Sequence, residues 1–345
     1  MKRIEDISKT KHGHLGAAVV VPENLTQQAT ETFSKHEFNL VASDLIGERR
    51  DVGDYRSHAC FSEVYPTTGE LAYLATSVII VFHNEAWSTL IRTINSVIDK
   101  TPISLLHEII LVDDFSSMEH LKHDLDLFAE KLKVKIRVLR NPSRLGLIVA
   151  RLKGAEVATG KTITFLDAHC EVTTGWMEPL LTEIHHNKKT IACPIIDIIS
   201  ESNFQYIASE ERTWGGFDWQ LTFRWEHSLR SQDKRLGVGH ASPIKTPAMA
   251  GGLFTVDKEY FYQIGSYDKG MQVWGGENVE ISIRAWSCGG QILIVPCSRV
   301  GHVFRSKSPY SWPGGVSHVI NRNTLRTVFV WLDEYKDLYL KSHRS

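Results

Sequence analysis

The chain has 345 residues, 42% of them hydrophobic and 23% charged. That is globular composition, long enough to bury a large core in one large or two modest domains. A net charge of −1 excludes a general affinity for nucleic acid or anionic membranes, so any anion must be held by a local site.

Residues 1–75 are mixed and weakly periodic, and read as an N-terminal arm. The opening MKRIEDISKTKHGH lacks the apolar core of a signal peptide. From Thr76 the texture changes. TSVIIVF is a β-branched strand run, followed by EAWSTLIRTINSVIDK with apolar residues at helical spacing. EIILVDD and EHLKHDLDLFAEKLK repeat the alternation, as do VKIRVL and GLIVARLKGAEVA, then TITFL and WMEPLLTEI. TIACPIIDII is a further strand. Strands alternating with helices predict βαβ units, and near-continuous apolar strands predict a sheet covered on both faces. After residue 200 the pattern loosens into aromatic and glycine clusters: WGGFDWQLTFRW, MAGGLF, WGGEN and PYSWPGG. ENVEISIRAWS and NTLRTVFVWLDEYKDLYL remain readable as helices. No run of about 18 apolar residues occurs, so no transmembrane segment is read.

In an open α/β sheet, ligands bind beyond the carboxyl ends of the strands. Polar residues sit at those ends here: His83, Asn84 and Glu85 after the first strand, Asp113 and Asp114 after the second, Asp167 and His169 after the fourth. GAEVATGKT imitates a phosphate-binding loop, but has five residues between its glycines and follows a helix. His120 and His123 share a helix face among Lys and Asp, and read as solvated. His185 and His186 end a helix, where a cation suits the dipole. The five cysteines form no C-x-x-C pair, which argues against a zinc ribbon. Asn24 opens an Asn-Leu-Thr sequon, which matters only in a glycosylating compartment.

TFLDAHCEV keeps two readings. Asp167 starts the following helix as a cap, or Asp167 and His169 hold a divalent ion. Mixed oxygen and nitrogen ligands suit Mn²⁺ better than Ca²⁺. A third ligand is then needed, and His302 in VGHVFR is the candidate. The glycine pairs of MAGGLF and WGGEN fit tight turns or a close approach to a ligand. Trp214, Trp219, Trp225 and Trp274 fit a core or a sugar or peptide surface.

Taken together, TSVIIVFHNEAWSTL, EIILVDD, GLIVARL, TFLDAHCE, GGFDW, MAGGLF, YDKGMQVWGGENVEIS and PCSRVGHVFR resemble the polypeptide N-acetylgalactosaminyltransferases, in the family's order over about residues 38–340. The resemblance implies a GT-A (Rossmann-like) α/β fold, with a mainly parallel sheet flanked by helices. It implies a catalytic domain over 76–345, with a nucleotide and metal half (76–200) and an acceptor and donor-sugar half (201–345). The implied activity is Mn²⁺-dependent, retaining transfer of GalNAc from UDP-GalNAc to Ser or Thr of a protein, in the Golgi lumen.

By position, Asp167, His169 and His302 resemble the metal ligands, and Asp167, Glu277 and Arg305 the catalytic set. Asp114 and Arg144 match nucleotide positions, and Arg305 and Tyr310 match the loop over the diphosphate. Arg151, Ala250, Gly251, Gly252, Glu277 and Asn278 match residues around the donor sugar, and Trp274 a gating tryptophan. Phe223, Trp225 and Phe304 are similar to the acceptor-peptide surface. The resemblance also implies a Cys60–Cys297 disulfide and an unpaired Cys288.

The chain departs from the family at Val149, Gln272, Val172 and Ser308, in RDVGDYR and in the longer GELAYLATS. No membrane anchor or ricin-like lectin domain is read, and the chain stops at KSHRS. The residues alone leave open a member that binds without turnover and an unrelated metal-dependent hydrolase.

Overall fold

The computed structural model of the chain describes residues 12–227, 239–307, 312 and 314–342. Strands β1 (Thr76–Phe82), β2 (Leu106–Asp113), β3 (Ile136–Arg140) and β4 (Thr162–Asp167) come first in the sheet. They lie parallel in the order β3-β2-β1-β4. Short β5 (Cys170–Val172) follows β4, and β6 (Thr190–Ile199) and β7 (Tyr206–Ile207) come next. β8 (Thr213–Phe217) and β9 (Phe223–His227) form a separate antiparallel hairpin. β10 (Ile244–Lys245), β11 (Phe254–Asp257) and β12 (Gln291–Val303) complete the sheet. β11 runs antiparallel between β4 and β6, and β12 lies parallel to β6. The sheet is therefore mixed but mostly parallel, with helices on both faces.

The apolar texture of the strands has a direct cause. Every residue of β1 is buried, because alternate side chains enter different cores. Val78, Ile80 and Phe82 meet Leu90, Ile94 and Val97 of the Trp87–Lys100 helix and Leu181 of the Met177–His186 helix. Ile79 and Val81 face the Leu147–Val157 helix and the Glu277–Ser287 helix. Gly154 lets the first of these approach closely, since a Cβ there would stand 2.5 Å from Ile79 Cγ2. Burying one such aliphatic side chain contributes roughly 1.5–3 kcal/mol.

The N-terminal segment packs onto the carboxyl end of the sheet. Phe38, Ala42 and Ile46 join Phe204, Tyr206 and Val303 in one cluster. A Cys60–Cys297 disulfide ties the segment to β12. Arg50 of the same segment and Arg92 both donate to the buried carboxylate of Glu171, at 2.7 and 2.8 Å.

Three local expectations are corrected. NTLRTVFVWLDEYKDLYL is not one helix: it is split between helices Val316–Trp331 and Tyr335–Ser342, with Asp333 between them at φ 41°. The strand expected over QILIVPC continues through a register shift between Val295 and Arg299 to Val303. His120 is half-buried, since its Nε2 bonds the Glu85 carbonyl at 3.0 Å and its ring stands edge-on to Trp87.

Candidate active site

Asp167 is the last residue of β4, and His169 lies in the turn to β5. β5 then pairs antiparallel with β12, placing Cys170 opposite His302. The His169 carbonyl accepts the Val303 amide at 3.1 Å. This short ladder brings the two imidazoles to 4.7 Å between ring centroids. His302 Nε2 lies 3.2 Å from Asp167 Oδ2. One ligand atom from each of Asp167, His169 and His302 fits within 4.8 Å of the others. Of the two readings of TFLDAHCEV, the convergent cluster is the one the fold builds. The Met177–His186 helix starts ten residues beyond Asp167 and takes no cap from it.

The charges around the cluster are fixed. Burial pushes the Asp167 carboxyl up, but the His302 hydrogen bond and the Arg151 guanidinium outweigh it and hold the group well below the carboxylate range. Burial and then the Arg305 charge lower His169 to about 4, against the opposing pull of Glu85. The imidazole is therefore neutral at ordinary pH, as a metal ligand must be. Its Nδ1 sits 2.9 Å from Glu85 Oε2. A proton on that nitrogen leaves Nε2 as the free lone pair, the arrangement that orients metal-binding histidines. Glu85 also accepts Arg305 Nη2 at 2.8 Å, while the Arg305 guanidinium lies 5.1 Å over the Phe38 ring.

Arg151 is buried and directs its fork inward. Nη2 donates to Asp167 Oδ1 at 3.0 Å and to the Gly252 carbonyl at 2.9 Å; Nη1 donates to the Gly251 carbonyl at 2.5 Å. Gly252 presses on the same carboxylate, since a Cβ there would stand 2.8 Å from Asp167 Oδ2. Burial raises the Glu277 carboxyl, and its Oε2 accepts the Gly275 amide at 2.6 Å.

These groups open on one cavity of about 650 Å³, a usual size for a small-molecule site. Asp167, His169, His302, Arg305 and Arg144 line one part of its wall. Arg151, Ala250, Gly251, Gly252, Trp274, Glu277, Asn278, Phe223 and Phe304 line the same cavity, and the Phe304 ring stands 4.7 Å from that of His302. Two expected residues are not on the wall. Asp114 is buried, and its carboxylate takes Asn141 Nδ2 at 2.8 Å, the Leu145 and Gly146 amides at 2.9 and 2.8 Å, and Arg144. It shapes the loop that presents Arg144. Trp225 stands edge-on to Phe223 at 5.0 Å and is exposed beside the cavity. Tyr310 lies outside the described residues, as does Ser308. The sequence reading did not single out the wall residues Ile320 and Thr324, although their i,i+4 spacing puts them on one face of the Val316–Trp331 helix. Glu85 was visible only as a strand-end carboxylate.

Residues 77–261 match glycosyl transferase family 2. The chain belongs to that family. Within this glycosyl transferase family 2 chain, residues 234–308 also match the N-terminal domain of galactosyltransferase. Human polypeptide N-acetylgalactosaminyltransferase 13 is 51% identical over 328 residues, covering 95% of this chain and 58% of the relative. Polypeptide N-acetylgalactosaminyltransferase 3 of Drosophila melanogaster is 51% identical over 326 residues, covering 93% and 48%. A crystal structure of GalNAc-T7 with UDP, GalNAc and Mn²⁺ superposes with a TM-score of 0.85 at 40% identity, covering 95% of this chain and 60% of that one. These identities bear out the resemblance to the polypeptide N-acetylgalactosaminyltransferases, and the superposition bears out the GT-A fold. The chain spans about half the length of the relatives it matches. The family's expected disulfide is present, and Cys288 is an exposed free thiol.

Proposed function

We propose that this chain transfers GalNAc from UDP-GalNAc to serine and threonine hydroxyls of proteins, with retention of configuration. The observation that carries this reading is the Asp167, His169 and His302 cluster opening on the same cavity as Arg144 and Arg305. The donor set fits Mn²⁺. One ionised carboxylate and two imidazoles, one of them neutral and oriented by Glu85, suit an ion that accepts mixed oxygen and nitrogen ligands. Asp167 Oδ2, His169 Nε2 and His302 would hold it. Bound there, the ion stabilises the negative charge that develops on departing UDP.

The chain's own groups supply the remaining chemistry. Arg305 adds preorganised positive charge at the same end of the cavity. Arg144, presented by the Asp114 loop, faces the nucleotide. Ala250–Gly252, Glu277 and Asn278 enclose the sugar, and Trp274 covers it. Phe223, Trp225 and Phe304 offer the acceptor peptide an apolar surface. The acceptor oxygen attacks the anomeric carbon from the face the phosphate leaves, the sugar–phosphate bond breaks, and the hydroxyl proton passes to the leaving phosphate. Among the described residues none is assigned as nucleophile: Asp167 is bonded to Arg151 and His302, and Glu277 accepts the Gly275 amide. The disulfide belongs to an oxidising compartment, in keeping with the Golgi lumen.

The test is UDP-GalNAc transfer to a Thr-rich peptide with and without Mn²⁺. Transfer that requires the ion and is lost in Asp167→Asn and His302→Ala supports the reading. Full turnover in those variants overturns it. Hydrolysis without peptide transfer points to a hydrolase, and UDP binding without turnover to a binding protein.

A further inference from the structure

The wall segment Gln272–Gly276 follows a path that its own residues do not favour. Val273 has φ 52°, and Gly275 and Gly276 have φ 99° and 86°. A β-branched residue at positive φ is strained, and such conformations persist only where the surroundings over-determine them. Val273 is tied at one side, its carbonyl accepting the Leu147 amide at 2.8 Å. On the other side stands Asn323, on the Val316–Trp331 helix, with 0% exposure.

The Asn323 carboxamide is spent on this segment. Its Oδ1 accepts the Gln272 amide at 2.9 Å. Its Nδ2 donates to the Gln272 and Gly275 carbonyls, both at 2.9 Å, and reaches the Trp274 carbonyl at 3.4 Å. Carbonyls only accept and the amide only donates, so just one orientation of the carboxamide satisfies them all. Ile320 and Thr324 of the same helix line the cavity, as do Trp274 and Gly275.

We infer that Asn323 is a positioning residue whose carboxamide holds Gln272–Gly275 as a wall of the donor-sugar end of the cavity, and thereby sets donor affinity and sugar selectivity. The inference rests on the transferase reading for its sugar, but not for its clamp. Asn323 itself does not line the cavity. It acts through the backbone that carries Trp274 and leads into Glu277.

The test uses the full chain with Asn323→Asp, which keeps shape and acceptor but loses the donor, alongside Asn323→Ala. Arg322→Ala, exposed on the same helix, is the control. Hydrogen–deuterium exchange reads the clamp. Both Asn323 variants should exchange at least tenfold faster over 272–276, with β1, β2 and β4 unchanged. Kinetics read the consequence: the KM for UDP-GalNAc should rise at least tenfold and discrimination against UDP-GlcNAc should fall, while the peptide KM moves less than about twofold. Unchanged exchange overturns the inference. So do donor and acceptor KM values that rise together, or a fall in kcat alone that tracks the thermal midpoint. If Asn323→Ala does not fold, Asn323→Asp decides. If the wild type transfers no GalNAc, the proposed function fails, whereas the exchange result still supports or sinks the clamp.

Discussion

Arg151→Met is the substitution that most directly probes how the Asp167, His169 and His302 cluster and the Gly251–Gly252 wall of the cavity are joined. It removes the ion pair to Asp167 Oδ1 and the bonds to the Gly251 and Gly252 carbonyls. Breaking a buried ion pair from one side costs about 3–5 kcal/mol, and each orphaned carbonyl about 1 kcal/mol. The Asp167 side chain keeps 22% exposure, so water offsets part of the loss. A total of about 4–5 kcal/mol follows, against a stability of about 5–15 kcal/mol for a protein. Arg151→Lys keeps charge without the fork and should recover less than half of it.

Denaturant unfolding of Arg151→Met, Asp167→Asn and the double variant measures this as a cycle, with an expected coupling of about 1–2 kcal/mol. Binding of UDP-GalNAc should weaken at least tenfold in Arg151→Met, about 1.4 kcal/mol, because Asp167 and the Gly251–Gly252 turn lose their shared fixture. Coupling below about 0.5 kcal/mol, or a single variant within about 1 kcal/mol of wild type, would refute the reasoning.

Two further outcomes concern the frame around the site. Burial pushes the Glu108 carboxyl up, but bonds from Thr159, Lys135 and Ser77 hold it lower, at about 2 against an ordinary 4.5. A depressed folded value means stability that is present above pH 4.5 and lost as pH falls through about 2. Glu108→Gln should therefore cost about 2–3 kcal/mol at pH 7 and flatten urea stability across that acid window; parallel curves for the two proteins would contradict this. Cys60 and Cys297 are 237 residues apart. Loop entropy then assigns the bridge about 5 kcal/mol, and the Cys60→Ser, Cys297→Ser double variant should lose most of that in guanidinium unfolding, with a loss below about 1 kcal/mol counting against the entropic account.

What the sequence showed, and what it hid, follows from the range of the interactions. β1, β2 and β4 were legible because covered faces demand apolar residues nearly throughout, and that signal is local. Asp167 and His169 were legible because polarity breaks a buried run. His302 lies 135 residues from Asp167, and residue types alone left it an ordinary loop histidine; the order of motifs singled it out. Glu85, 84 residues from His169, and Asn323 carried no periodic signal. Each is a polar side chain answering a partner that only the fold brings near. The Phe38 ring under Arg305 was hidden for the same reason.

The same logic explains why buried ion pairs gather at this end of the sheet. His302 can meet Asp167 and His169 only if β12 keeps its register with β5 and β6, where His302 stands opposite Cys170 and Ile198. A slip of one residue would turn His302 to the other face of the sheet. Apolar packing tolerates such a slip poorly but does not forbid it, and β12 already shifts register between Val295 and Arg299. Arg299 closes that irregularity with two bonds to Asp197, at 3.0 and 2.6 Å. Glu171, in β5, is fixed by Arg50 and Arg92. Buried pairs of this kind add little net stability over apolar replacements, but their bonds have direction. Replacing Arg299 and Asp197 together by apolar residues should cost about 2 kcal/mol in urea unfolding, because the buried Tyr206 hydroxyl and the Ser209 amide lose their Asp197 acceptor, and hydrogen–deuterium exchange over 299–303 should rise; unchanged exchange there would count against a directional role for the pair.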